Sequence, residues 1–152
     1  MNNSAYIPAL GRRELTGMYD WVIAAMTRER VWRSLVLTAL DARTGEVIVD
    51  LGAGTGSLGI MIKKHAPGAR LVAVDPDPDV RLIGERKARA AGVEIDYETA
   101  MGDAHLASVE AAEADAVTCS LVLHQCPLEA KQSILENAFR LLKQGGRLVL
   151  AD

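Results

Sequence analysis

The stretch Val47-Ile48-Val49-Asp50-Leu51-Gly52-Ala53-Gly54-Thr55-Gly56 constrains this chain more than any other. A second apolar run, Leu71-Val72-Ala73-Val74-Asp75-Pro76, follows it and ends in an acid. Each run reads as a short strand buried on both faces, the pattern of a parallel sheet. The glycines closing the first run let backbone approach backbone, or a ligand, with no Cβ in the way. The carboxylate closing the second offers acceptor oxygens to the two hydroxyls of a ribose. A glycine turn beside an acid on the neighbouring strand is how an open α/β sheet holds a nucleoside.

The rest of the chain extends this alternation. Residues 1–11 read as a loose segment lying over the domain as a flap. From Arg12 to Met26, the apolar positions Leu15, Met18, Tyr19, Val22 and Met26 recur at helical spacing. A second helix is predicted from about Arg28 to Leu40, and Thr44-Gly45 punctuates its end. Strand and helix then alternate. Strands are predicted at Val47–Leu51, Leu71–Asp75, Val93–Glu98, Ala116–Leu123 and Arg147–Ala151. Helices are predicted at Ser57–His65, Asp79–Ala91 and Leu128–Lys143. In Val93–Glu98 the apolar residues alternate with acids, which marks an edge strand with one wet face. Short connections imply right-handed crossovers. The expected fold is α/β: a Rossmann-like, doubly wound, mostly parallel sheet of about five strands, with helices at its N-terminus. A single domain is expected over 1–152, with a helical cap at 1–44 and an α/β core at 45–152.

Composition narrows the function classes. The 152 residues suffice for one domain of ordinary size. Aromatic residues are only 4% while hydrophobic residues are 49%, so the core is aliphatic, which suits a sheet between helices. The net charge of −3 and the absence of a Lys/Arg block argue against a nucleic-acid backbone as partner. Cys119 and Cys126 lack the spacing of a metal site and read as free thiols in a reducing compartment; no metal site is expected. No secretory signal or membrane-length apolar run is seen, so a cytoplasmic protein is expected.

The glycine segment admits two readings. Gly54-Thr55-Gly56-Ser57-Leu58-Gly59 matches G-x-G-x-x-G, with Asp75 lying 21 residues beyond Gly54. That keeps an NAD(P)-dependent oxidoreductase open. In such a site the first glycine leaves the strand directly. Here Asp50 closes the strand and Gly52 already begins the turn, so the segment is better written D-x-G-x-G-x-G.

In that form, with the segments that follow, the chain resembles the class I S-adenosylmethionine-dependent methyltransferases. Val72-Ala73-Val74-Asp75 looks like the family's second motif, and Gly102-Asp103-Ala104 like its third. Asp115-Ala116-Val117-Thr118-Cys119-Ser120-Leu121 looks like the fourth. Leu141-Leu142-Lys143-Gln144-Gly145-Gly146-Arg147-Leu148 looks like the turn into strand five. These segments keep the family's order over residues 46–152. The front piece, Tyr19-Asp20-Trp21 and then Trp32-Arg33, is similar to the small-molecule branch that includes quinone-biosynthesis methyltransferases.

The resemblance implies S-adenosyl-L-methionine as cofactor, S-adenosyl-L-homocysteine as product and a small-molecule acceptor. It implies that Gly52, Ala53, Gly54 and Gly56 pass close to the methionine part. Asp75, followed by Pro76, would hold the ribose. Asp103 and the Ala104 amide would meet the adenine, and Ser120 would stand beside the methionine part. Asp50 would orient the turn or reach the amino group through water. Each acid has a plainer reading as turn chemistry. Methyl transfer needs alignment and exclusion of water rather than a triad or a metal. His124, at the end of the fourth strand, is the one candidate general base, against the plainer reading of a histidine bonded to backbone. Tyr19 is a candidate cofactor or substrate contact; Tyr6, Trp21 and Trp32 read as helix packing. Arg81, Arg86, Lys87 and Arg89 read as a solvated basic face.

The motifs run out at strand five, whereas the family continues with a further helix and a strand pair. Three explanations stay open: a fragment of a longer protein, a short form that self-associates through the exposed strand-five edge, or one whose N-terminal segment covers that edge. A catalytically incomplete cofactor-binding or assembly module is therefore carried as an alternative to the enzyme.

Overall fold

The computed structural model describes residues 29–152. The predicted helix at Arg12–Met26, the flap at 1–11, and Tyr6, Tyr19 and Trp21 lie outside the described residues. The elements are α1 (Glu29–Leu40), β1 (Val47–Leu51), α2 (Ser57–His65), β2 (Arg70–Asp75), α3 (Pro78–Ala90), β3 (Asp96–Thr99) and β4 (Ala114–Ser120). A 3-10 turn (Leu123–Gln125), α4 (Leu128–Leu141) and β5 (Leu142–Ala151) complete the series. All four strand pairings are parallel, and the sheet order is β3-β2-β1-β4-β5.

Alternation along the strands sorts their side chains into two cores. Ile48 and Leu71 pack with Leu58 and Ile62 of α2 and with Val36 and Leu40 of α1. Val49, Leu51, Val72, Val74, Val117 and Cys119 point the other way, onto Ile134, Ala138 and Leu141 of α4. Leu106 and Val109, from the connection between β3 and β4, join that second core. Removing the side chain of Leu141, which has no exposed surface, is the kind of change that costs about 2–5 kcal/mol. The chain thus winds outward from β1 to β3, returns across the sheet to β4, and continues to β5 in the other direction. β1 and β4 are neighbours whose connections leave to opposite sides. At such a switch point an open α/β sheet leaves a crevice beyond its carboxyl ends.

Among the boundaries that differ from the sequence reading, three have a clear local reason. β3 begins at Asp96 rather than Val93. The Val93 amide donates to Ala88 O (3.1 Å) and the Gly92 amide to Arg89 O (3.1 Å), with Gly92 at φ 68°. That pair of bonds closes α3 with a left-handed glycine and uses Val93 in the cap. β4 stops at Ser120 because Leu121 takes φ 56°, a left-handed conformation rare for a side chain of its size. β5 begins at Leu142, not Arg147: Gly145 (φ 80°) lies in a strand whose register shifts between Ala114 and Ala116. The two glycines mark a bulge inside the strand, not a loop before it.

Candidate functional site

The crevice is built from the glycine turn upward. The amides of Gly52 and Ala53 both donate to Val74 O, at 2.8 and 3.0 Å, which ties the turn to the end of β2. Gly52, Gly54 and Gly56 all have positive φ, at 73°, 55° and 75°. Their surroundings differ. A Cβ on Gly52 would fall 2.2 Å from Cγ2 of Val122, and one on Gly56 2.6 Å from the Tyr97 hydroxyl. A Cβ on Gly54 would meet no described residue within 4 Å. The outer two glycines are needed for packing, while the middle one faces space that no described residue fills.

Two acids flank that space. Asp75, at the end of β2, accepts from the Gly54 amide through Oδ2 (2.9 Å) and from the Asp77 amide through Oδ1 (3.0 Å). Burial raises its pKa and these two bonds oppose the rise. Each oxygen keeps capacity for a further donor. Asp50 stands one strand over and is buried, 1% exposed. Its Oδ1 accepts from the Thr118 hydroxyl (2.7 Å), its registered neighbour on β4. Its Oδ2 is buried with no donor among the described residues. Burial pushes the Asp50 carboxyl up to about 6, against Thr118 and the charge of Arg33, which favour ionisation. A buried acceptor without a donor is costly. It is the feature that a bound ammonium group or ordered water would complete.

The remaining predicted positions lie at the same end of the sheet. The Ala100 amide donates to Asp75 O (3.3 Å), so the turn holding Asp103 and Ala104 leaves β3 beside β2's carboxyl end. Asn137 of α4 fixes that turn, donating through Nδ2 to Gly102 O (2.8 Å) and Ala104 O (3.0 Å). Asp103 itself is exposed, and Pro76 is partly buried beside Asp75. Ser120 closes β4, opposite Ala151 of β5. His124 follows in the 3-10 turn. The structure thus brings Asp50, Gly52, Ala53, Gly54, Gly56, Asp75, Pro76, Asp103, Ala104, Ser120 and His124 to one end of the sheet.

Sequence reading missed some participants. Lys87 does not lie on a solvated face: its Nζ donates to the hydroxyls of Thr55 (3.0 Å) and Ser57 (2.6 Å), on either side of Gly56. Nothing in a run of basic residues distinguishes the one that turns inward. Thr118 was legible only through its register with Asp50, which needs the pairing of β1 with β4. Among the described residues, no helix is long and apolar enough to cross a membrane.

Comparison with known proteins gives the same direction. A methyltransferase domain model matches residues 48–146. The chain is similar to a demethylmenaquinone methyltransferase of Thermus thermophilus, 33% identical over 80% of this chain and 53% of the relative. It is 32% identical to another of that name from Thermobifida fusca, over 92% of this chain and 61% of the relative. The chain spans about half the length of such curated relatives. The crystal structure of geranyl diphosphate C-methyltransferase from Streptomyces coelicolor, in complex with S-adenosyl-L-homocysteine, shares the fold: TM-score 0.73 and 22% identity, covering 93% of this chain and 52% of that one. With the domain match extending from the first residues of β1 to the bulge of β5, the chain belongs to the methyltransferase domain family.

Proposed function

We propose that this chain binds S-adenosylmethionine at the carboxyl ends of β1, β2 and β4 and transfers its methyl group to a small apolar or aromatic acceptor. The observation that carries the reading is the space over Gly54, which no described residue fills, beside Asp75 and at the strand end where Asp50 keeps an Oδ2 with no donor among the described residues. When bound, the cofactor supplies a methyl group already activated on a sulfonium sulfur. The chain's own residues then have to bind, orient and exclude water. Asp75 accepts from the ribose hydroxyls while still holding the Gly54 amide. Asp50 accepts, directly or through water, from the amino group. Gly54 leaves room for the methionine part, Gly52, Ala53 and Gly56 hold the turn in shape beneath it, and Ser120 stands across from them. Asp103 and the Ala104 amide face the adenine. Tyr19, outside the described residues, is proposed as a contact from the N-terminal segment. Relatives named for demethylmenaquinone and geranyl diphosphate support a small acceptor.

Calorimetry with S-adenosylhomocysteine tests the reading on the chain itself. Binding is expected for the wild type, and Asp75→Ala should weaken it by about 1.5–3 kcal/mol, the scale of hydrogen bonds to a charged group. An unchanged dissociation constant removes Asp75 from the site. Thermal shift with NAD(H) and NADP(H) tests the rival cofactor. Stabilisation by those alone would overturn the reading.

A further inference from the structure

The carboxyl ends of β4 and β5 carry a pair of titratable side chains that the proposed cradle does not use. Nδ1 of His124 lies 2.9 Å from Oδ1 of Asp152. His124 belongs to the turn directly after β4, and Asp152 follows β5. These strands are neighbours, registered up to Ser120 opposite Ala151. The pair therefore stands one strand beyond the glycine turn, on the side away from Asp75.

The turn that carries His124 is held in place. The Leu121 amide donates to Ala151 O (2.8 Å), Gln125 Nε2 donates to Leu121 O (2.9 Å), and the Cys126 amide donates to Leu123 O (2.9 Å). Leu121 keeps its left-handed φ of 56° within this network. Such a conformation persists where the surroundings over-determine it, and it gathers at functional sites. Val122, between Leu121 and the turn, packs against Gly52 so closely that a Cβ there would fall 2.2 Å from it. The His124 turn and the glycine turn are thus locked to each other.

We propose that His124 is the general base of methyl transfer and that Asp152 is its positioning residue. The proposal rests on the methyltransferase reading above. A carboxylate accepts from Nδ1–H, so the neutral ring carries its lone pair on Nε2, at the opposite edge. His124 is about half exposed, its side chain at 52%, so the ring is open to an acceptor from solvent. A base placed here selects acceptors that carry a weakly acidic hydroxyl, such as a phenol or a quinol. The acceptor's hydroxyl proton passes to Nε2. The electron pair this releases, on oxygen or delocalised to a ring carbon, forms the new bond to the methyl carbon. The carbon–sulfur bond breaks with its pair going to sulfur. The imidazolium then returns its proton to solvent. A side-chain contact at this partly exposed surface contributes little to stability, so its removal leaves the fold available for measurement.

Nitrogen-15 NMR of the histidine ring tests the dyad without turnover. The wild type should hold neutral His124 as the Nδ1–H tautomer. Asp152→Ala should release it to the Nε2–H form that histidine prefers in water. A second arm measures labelled-methyl transfer to a naphthohydroquinone. There His124→Gln should lower kcat by about 100-fold or more. Asp152→Ala should also lower kcat, Asp152→Glu should partly restore it, and S-adenosylhomocysteine affinity should be unchanged in all three. An Nε2–H ring in the wild type, one tautomer in both proteins, or full kcat in Asp152→Ala would overturn the dyad. So would a wild type that binds S-adenosylhomocysteine but transfers nothing to the naphthohydroquinone. Failure to bind S-adenosylhomocysteine at all would instead overturn the methyltransferase reading.

Discussion

At the amino ends of the strands, carboxylates form salt bridges with cations; at the carboxyl ends of β1 and β2, Asp50 and Asp75 form none among the described residues. Arg147 grips Glu46 through both terminal nitrogens (3.0 and 2.7 Å) and also donates to Leu40 O (2.8 Å), fastening β5 to the entry of β1 and the end of α1. The Arg147 hydrogen bond holds Glu46 below its ordinary range. Asp115 pairs with Lys143 and accepts from the Val47 amide (2.9 Å). Burial alone would raise Asp115, but these partners keep it low. Arg70 bridges Asp96 (3.1 Å) and Glu113 (2.9 Å). At the other end, burial raises both Asp50 and Asp75. Neither has a salt-bridge partner among the described residues. One end is chemically closed, and the other is left for something to complete. Acids perturbed by burial and grouped at a crevice are what a binding site requires, and a purely structural end would neutralise them.

Asp50→Asn breaks this contrast most strongly. Burial pushes the Asp50 carboxyl up to about 6 from the ordinary aspartate value of 3.8. An acid whose pKa is raised by folding weakens the fold as pH climbs, because the unfolded chain releases the proton first. The cost begins near pH 4 and is complete above about pH 6. Asn, which keeps an oxygen for Thr118, removes it. The variant should therefore be more stable than wild type by about 3 kcal/mol at pH 8, with the difference vanishing by pH 4. Denaturant melts across that range measure it. S-adenosylhomocysteine affinity should fall in the same variant, and a protein that gained neither stability nor lost affinity would place Asp50 outside the site.

Arg147→Ala tests the closed end. Losing a bidentate, charge-assisted contact to a mostly buried Glu46 should cost about 2 kcal/mol. Glu46 is an acid with a lowered folded pKa. Its stabilisation is fully present above the unfolded value and is lost as pH falls through the folded one. The penalty should thus be largest at neutral pH and shrink in acid, the reverse of the trend expected for Asp50. Cofactor affinity should be unaffected by Arg147→Ala.

The carboxyl end of the sheet was legible in the sequence because glycines and strand-end acids carry backbone information; the ion pairs of the amino end were not. Gly52, Gly54 and Gly56 announced a turn, and Gly56 with Pro67-Gly68 framed α2 at Ser57–His65 as observed. What stayed hidden depends on partners far along the chain. Lys87 meets hydroxyls about thirty residues away, and Asp152 meets His124 from the next strand. The end of β4 was illegible for another reason. The apolar run continues through Leu123, and the residue that breaks it, Leu121, is not a type that usually adopts a positive φ. Gly145 misled in the opposite sense, because a glycine in a bulge and a glycine in a loop look alike until the register is known.

The smallest expected effect gives the sharpest comparison. Gly54 and Gly145 both have positive φ, 55° and 80°, and a Cβ on either would meet no described residue within 4 Å. Alanine at each position carries the same kind of backbone penalty, about 1–2 kcal/mol for a left-handed residue, and no clash. Their melting temperatures should therefore fall by similar amounts. They differ in where they sit: Gly54 lies in the turn over the carboxyl end of β1, Gly145 in the bulge of β5. If the space over Gly54 is where the cofactor lies, its new methyl group displaces ligand, and S-adenosylhomocysteine binding should weaken by more than about tenfold, or 1.4 kcal/mol. Gly145→Ala should bind as the wild type does. Equal affinities in the two variants would show that the room over Gly54 serves the turn alone.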